Sequence, residues 1–283
     1  MLEIRTLTLG DLEDALRLSA QAGWNQVAAD WKRLLGCWPD GCFAGVVDGT
    51  LVGTTTVIDY DNANWIGMVL VDEAHRNQGY GSQLFEHGLE HAGERDGVVG
   101  LDATHHGKPI YEKYGFERVD TVHRWQGTLR EPDETDDERF DEIEVLTDHA
   151  IDDLCSFDRA STGTDRGELL RTLLNEPDVR GYHLNGPDGI EGYAIIRPGR
   201  TNWQIGPIVT TRSRGIGVLL DALSRTFAGR DVITDAPNRE DIASRLSAVG
   251  LSRDRELLRM TYPEAKPALL TDSVQGFVDF AFG

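Results

Sequence analysis

The chain has 283 residues, 40% of them hydrophobic, and carries a formal net charge of −20. This gives room for two packed domains of about 140 residues, and the negative charge argues against a nucleic-acid partner, whose phosphates it would repel. No run approaches the roughly 20 apolar residues of a membrane span, and the start MLEIRTLTLG lacks the parts of a signal peptide, so a soluble cytoplasmic protein with no membrane partner is expected.

In chain order, DLEDALRLSAQA and AADWKRLL read as helices, and the alternating runs CFAGVVD and LVGTTTVIDY read as strands. WIGMVLV, mostly apolar on both faces, reads as a strand in mid-sheet. It leads into HRNQGYGSQLF, a glycine turn that opens a helix whose apolar residues Leu84, Phe85, Leu89 and Ala92 keep the spacing of one buried face. A strand, VVGLDAT, and a short helix, PIYEKYGF, complete this half. The dense like charge of TLREPDETDDERFDE then marks a linker. The expected organisation is a first domain over 1–128, an acidic linker over 129–142 and a second domain over 143–283.

The second half keeps the same plan. HAIDDLCSFDRA and RGELLRTLL read as helices and GYHL, GYAIIR and WQIGPIV as strands; then come the turn RSRGIG, the helix VLLDALSRTF, the strand VITDAP and the helix IASRLSAVGL. Arg76, Gly79 and Gly81 recur as Arg212, Gly215 and Gly217 at an offset of 136, and Gly115 recurs as Gly250 at 135, which reads as an internal duplication. The fold class expected is α/β (α+β): two tandem units, each a mixed, mainly antiparallel sheet flanked by helices.

Strand, glycine turn and helix start together suit an anion. Free amide N–H groups and the positive end of the helix dipole face it, and glycine lets the backbone come close. The dinucleotide fingerprint fits worse, because Leu84 stands where its third glycine belongs. Arg76, Gly79 and Gly81 after an apolar strand, then Tyr111 before Gly115 and Phe116, resemble the GNAT superfamily of N-acetyltransferases. GWNQVAADWKRLL, LDATHHGKPIYEKYGF, FDRASTGTDR, RPG and GPIV extend that likeness to a tandem subgroup whose C-terminal half is a divergent second domain.

The resemblance implies acetyl coenzyme A as co-substrate. Backbone amides of Val69, Leu70 and Val71 would engage its pantetheine arm and acetyl carbonyl, and those of Arg76, Asn77, Gln78, Gly79, Tyr80, Gly81 and Ser82 its pyrophosphate. Tyr111 sits where the family places a tyrosine close to the coenzyme sulfur, and a phenol can return a proton to the leaving thiolate at neutral pH. The general base is not legible; Asp59, Asp61, Glu73, His75 and Asp102 are candidates by position only. Trp24, with Asn25 and Gln26 beside it, is a candidate for the acceptor wall, and Trp24, Trp31 and Trp38 would share one face if their segment were a continuous helix. Asp158 and Asp165, with Arg166, are candidates to reach an amine substrate from the second half. Leu246 stands at the position matching Tyr111 and cannot donate a proton, so transfer is expected in the first half alone.

The acceptor expected is a primary amine of a small molecule or a protein, with an acyl-coenzyme-A binding or sensing protein as the alternative. No metal site is expected: His105 and His106 read as loop residues, and Cys37, Cys42 and Cys155 as buried thiols rather than ligands or disulfides. Basic residues are almost all arginine, with lysine only at 32, 108, 113 and 266, and such an acidic surface fits a salt-rich cytoplasm, with an ordinary acidic protein as the alternative.

Overall fold

The computed structural model describes residues 1–132, 142–262 and 270–283; most of the linker, 133–141, lies outside the described residues. The first half runs β1 (Glu3–Thr6), α1 (Leu12–Gln21), α2 (Ala28–Cys37), β2 (Cys42–Val47), β3 (Thr50–Asp59), β4 (Ala63–Val71), α3 (Tyr80–Gly93), β5 (Val98–Ala103), α4 (Lys108–Glu112) and β6 (Glu117–Thr128). The second repeats that order as β7 (Ile143–Val145), α5 (Ile151–Thr162), α6 (Gly167–Leu174), β8 (Arg180–Gly186), β9 (Gly189–Arg197), β10 (Trp203–Thr210), α7 (Gly215–Phe227), β11 (Asp231–Pro237), α8 (Glu240–Ala248) and β12 (Leu251–Tyr262). A last strand, β13 (Val274–Gly276), follows.

The two mainly antiparallel units are fused through one sheet, in the order β1-β2-β3-β4-β5-β12-β6-β11-β10-β9-β8-β7, with β13 against β10. The centre of that order is an exchange: the last strand of each half lies against the other half. β12 pairs with β5, and β6 pairs with β11. Each junction carries a buried cross-strand ion pair. Arg259 holds Asp102 through two bonds of 2.9 and 2.8 Å, and Arg124 holds Asp235 through two of 2.7 and 2.6 Å. The partners are directly opposite in register in both ladders. One pair is thus the duplicated image of the other.

Helices pack on this sheet by the faces that their spacing sets. In α3 the buried residues are Leu84, Phe85, Gly88 and Ala92, and full burial of a side chain such as Leu84 or Phe85 stabilises by about 1.5–3 kcal/mol. Gly53 in β3 lets Leu84 approach, since a Cβ there would lie 2.6 Å from its methyl carbon. α1 and α2 cover β3 and β4 through a core containing Leu18, Trp31, Leu34 and Trp65. The Trp31 indole N–H donates to Ser19 Oγ at 3.0 Å, so no buried donor is left unpaired there.

Trp24, Trp31 and Trp38 do not share a helix face. The chain leaves α1 at Gln21 and enters α2 only at Ala28, so Trp31 is core, while Trp38 packs on Tyr60 and Phe282.

β4 and β5 run parallel only from Ala63–Trp65 against Val98–Gly100, and β10 and β11 only from Trp203–Ile205 against Val232–Thr234. Beyond those pairs the strands splay, once in each half. In the second half the chain's own tail closes the gap: Ile208 pairs with Gly276, Val209 with Val274, and Phe277 N–H donates to Asp235 O at 2.7 Å. Gly206 permits it, because a Cβ there would lie 1.9 Å from Phe277 O. The tail then crosses to the first half, where Trp65 donates to Phe280 O at 3.2 Å and Tyr60 to Phe282 O at 2.8 Å.

Candidate active site

The open splay of the first half holds a cleft of about 200 Å³. Its walls come from both halves: Ile66 to Val69 of β4, Leu101, Asp102 and Thr104, Tyr111 of α4, Trp24 and Gln26, Arg124, then Arg255 and Leu257 of β12 and Phe280 and Ala281 of the tail. β4 is bulged here. Thr56 pairs with Gly67 and Thr54 with Leu70, so Thr55 faces two residues, and Met68 takes a φ of 49°. Such a bulge leaves one residue out of the ladder and turns backbone toward the gap.

Past β4, Asp72 begins the turn. Its carboxylate accepts from Ala74 N–H at 3.0 Å and is paired with Arg17. Arg76 is about half exposed and donates to Val71 O at 3.2 Å, which places its guanidinium at the rim. Asn77 and Gly79 adopt left-handed φ values of 62° and 81°, and Gly79 caps α3. No acidic residue stands in the first turn of that 14-residue helix. Its first N–H groups therefore meet no competing negative charge.

Tyr111 stacks edge-on against Phe85 at 4.8 Å between ring centres and faces the cleft. Burial raises its phenol above the ordinary value near 10, which keeps it protonated and able to donate.

None of the carboxylates proposed by position stands free in the cleft. Asp102 lines it but is held by both ends of Arg259; burial raises its carboxyl and Arg259 opposes that rise. Asp59 pairs with Arg95 at 2.5 Å, and Asp61 pairs with Arg159 at 3.3 Å while accepting from Asp165 N–H at 3.0 Å. Glu73 and His75 belong to the turn beyond β4 and do not line the cleft.

Of the three substrate candidates, only Trp24 lines the cleft. Asp158 is fully buried, bound twice by Arg166 at 2.6 and 3.0 Å and once by the Tyr193 hydroxyl at 2.6 Å, which uses its acceptor capacity internally. Asp165 caps α6 by accepting from Gly167 N–H at 3.0 Å and pairs with Arg159 at 3.1 Å. Both aspartates hold structure away from the cleft. Asn25 has a structural use as well: its side chain accepts from Thr201 N–H and Asn202 N–H and donates to Asn202 O, clamping the two halves.

Gln26, Arg124 and Arg255 complete the polar wall. Gln26 stands two residues after Trp24 in sequence, but no local pattern marks Arg124, Arg255 or Phe280, because they reach the cleft through the strand exchange and the tail.

The second half departs from the first in three places. The connection before its helix is 211–214 against 72–79, and its left-handed cap is Arg214, φ 68°, where the first half has Gly79. The helix starts thus match at an offset of 135, one less than the glycine pattern indicates. Leu246 is packed in the core, and the splay is filled by β13 and Phe277.

Among the described residues no cluster of potential metal ligands occurs, and the three cysteines are free thiols. Burial pushes the Cys42 thiol up to about 12. Iodoacetamide at pH 8 is therefore expected to leave Cys42 unmodified in the native protein and to alkylate it on unfolding in guanidinium, as mass spectrometry of digested samples would read. Ready native labelling would contradict its burial.

Comparison with known proteins bears on the family and the fold. An acetyltransferase (GNAT) family model matches residues 10–116, and an acetyltransferase (GNAT) domain model matches residues 154–274. Holothin acyltransferase of Pseudoalteromonas sp. (strain SANK 73390) is 27% identical over 216 residues, which are 76% of this chain and 71% of that protein. The uncharacterized N-acetyltransferase YitH of Bacillus subtilis (strain 168) is 26% identical over 262 residues, 89% and 88% of the two chains. Among solved structures, a candidate acetyltransferase from Pyrococcus horikoshii superposes with a TM-score of 0.84 at 20% identity, covering 100% of this chain and 96% of that one. A tandem GNAT protein from the clavulanic acid biosynthesis pathway gives 0.63 at 15%, covering 94% and 100%.

Proposed function

Because the chain belongs to the GNAT acetyltransferases, with two such domains in tandem, we propose that it moves an acetyl group from acetyl coenzyme A to a primary amine, in its first half alone. The observation that carries this reading is the unfilled splay of β4 and β5, which opens between a left-handed glycine turn and Tyr111. The residues present suit the coenzyme: glycine at 79 and 81 gives close backbone approach, and the first turn of α3 is free of acids. Backbone groups of Val69, Leu70 and Val71 would bind the pantetheine arm, and the amides of residues 76–82 the pyrophosphate.

The coenzyme supplies an activated thioester. This chain's residues then do three things: the bulged backbone of β4 offers N–H groups to the carbonyl oxygen, the cleft walls orient the amine, and Tyr111 gives its proton to the departing sulfur. Since no cleft carboxylate among the described residues is unpaired, the amine loses its proton to water. The tail in the second splay and Leu246 in place of a tyrosine support transfer at one site only.

The acidic surface, −20 overall, fits a salt-rich cytoplasm, where a short screening length blunts self-repulsion. The test is calorimetric titration of acetyl coenzyme A in both dilute and multimolar salt, with Gly79→Trp as control. We expect micromolar binding that the variant loses, because tryptophan strains the left-handed φ of 81° and blocks the backbone approach. No heat in either buffer would overturn the proposal.

A further inference from the structure

We propose that the acceptor is a small amino acid, a primary amine whose carboxylate is held by Arg255. This rests on the acyl-transfer reading of the cleft and adds the substrate class to it.

Three charged side chains from exchanged or neighbouring strands line the cleft besides the apolar wall: Asp102, Arg124 and Arg255. Asp102 is neutralised by Arg259, and Arg124 by Asp235. Arg255 has no such partner. Among the described residues its side chain makes no hydrogen bond or ion pair, and its Nε is buried with nothing to donate to. It also stands directly opposite Arg124 across the β12–β6 ladder, a like-charge neighbour that costs stability. Burial, then Arg124, lower its pKa, and the nearby charges of Asp235 and Asp254 oppose that only in part.

The backbone arrangement aims it there. The β12–β6 register shifts between Arg253 and Arg255, so Asp254 is an extra residue, and a bulge of this kind turns the following side chain. In a chain of net charge −20, one cation inside a cleft without a direct ion-pair partner among the described residues is a local reversal of sign. A guanidinium meets a carboxylate through two parallel N–H bonds, and a single unpaired positive charge balances a monoanion rather than a phosphate dianion.

A second orphan fixes the other end of the ligand. Gln26 is 8% exposed, lines the same cleft, and its Oε1 is buried without a donor. That oxygen needs an N–H, which the substrate amine carries. The two unmet demands, an anion at Arg255 and a donor at Gln26, are met by one molecule with both groups. Arg255 is not at the pyrophosphate end, because no residue of the turn 72–82 lines this cleft.

The experiment compares glycine, alanine, β-alanine and 4-aminobutanoate with their carboxamides, which keep the amine and remove the charge. Initial rates by coenzyme thiol release are measured for the full-length wild type and for Arg255→Gln and Arg255→Lys. Saturation-transfer NMR scores binding of the same compounds in the presence of coenzyme A. The acid-to-amide ratio of kcat/KM should be about 10- to 100-fold higher in the wild type than in Arg255→Gln, mainly through KM, with part of the preference restored in Arg255→Lys. Affinity for acetyl coenzyme A should not change, and the Tm of Arg255→Gln should hold or rise, because an unpaired charge has gone. Equal ratios in wild type and Arg255→Gln would overturn the proposal, and a fall in Tm alongside them would make Arg255 a structural residue. Acids that bind through Arg255 without any turnover would sustain the carboxylate site and overturn the acyl-transfer reading instead. Failure of every acid to bind or react, with the amides acetylated, would leave the enzyme and remove the site.

Discussion

Tyr111→Phe is expected to lower kcat by about 100- to 10,000-fold, the range of a positioned general acid, while the Kd for acetyl coenzyme A stays unchanged. The ring keeps its place against Phe85 and Phe116, so loss of the hydroxyl removes the proton donor and little packing. The pH profile makes the same point in a second way. Burial raises the Tyr111 phenol, so its active, protonated form persists through pH 6 to 9 and gives no descending limb there. With every cleft carboxylate paired, kcat/KM should instead rise with pH through the pKa of the acceptor amine. Stopped-flow detection of thiol release, with calorimetry of the coenzyme, would read both. Unchanged turnover in the variant would reduce Tyr111 to a packing residue, and a limb near the carboxylate range would reveal a base that the cleft does not display.

The strand, turn and helix over 63–93 are legible in the sequence because their causes are local: an apolar run, glycines where φ must be positive, and Leu84, Phe85 and Ala92 on one helical face. The tyrosine follows by spacing from the same motif. The two 12-residue strands β6 and β12 are not legible, although they form the middle of the sheet. Their buried positions hold Arg124 and Arg259 where alternation asks for apolar side chains, and each arginine is neutralised by an aspartate more than a hundred residues away in sequence. The acceptor wall shares that difficulty. Arg255 and Phe280 reach the cleft only because strands are exchanged and the tail crosses between halves. Asp158 shows the opposite case, since a carboxylate in a polar helical stretch looks available until Arg166 and Tyr193 are seen to enclose it.

Arg259→Met should cost about 3–5 kcal/mol, the loss that follows when one partner of a buried ion pair is removed. Arg259 is 0% and Asp102 1% exposed at the side chain, so removal of the guanidinium leaves a nearly buried carboxylate without its counter-charge. The arginine also stacks on Trp65 at 4.5 Å and Phe277 at 4.0 Å, joining both halves and the tail, and methionine keeps part of that contact. At about 2–4 °C per kcal/mol for a large domain, Tm should fall by about 10 °C. The loss should depend on pH with a definite sign. Burial already raises the Asp102 carboxyl, and removal of Arg259 raises it further. The native variant then holds a proton that the unfolded chain, with a carboxyl near 3.9, has released, so its stability falls as pH rises above about 4 and recovers as pH is lowered toward it. Asp102→Leu in the same chain removes the stranded charge and should restore most of the stability at pH 7. Calorimetric melts of the single and double variants at pH 5 and pH 8 decide it: a single variant as stable as the wild type, or a loss that is the same at both pH values, would show that this pair does not hold the exchanged strand in place.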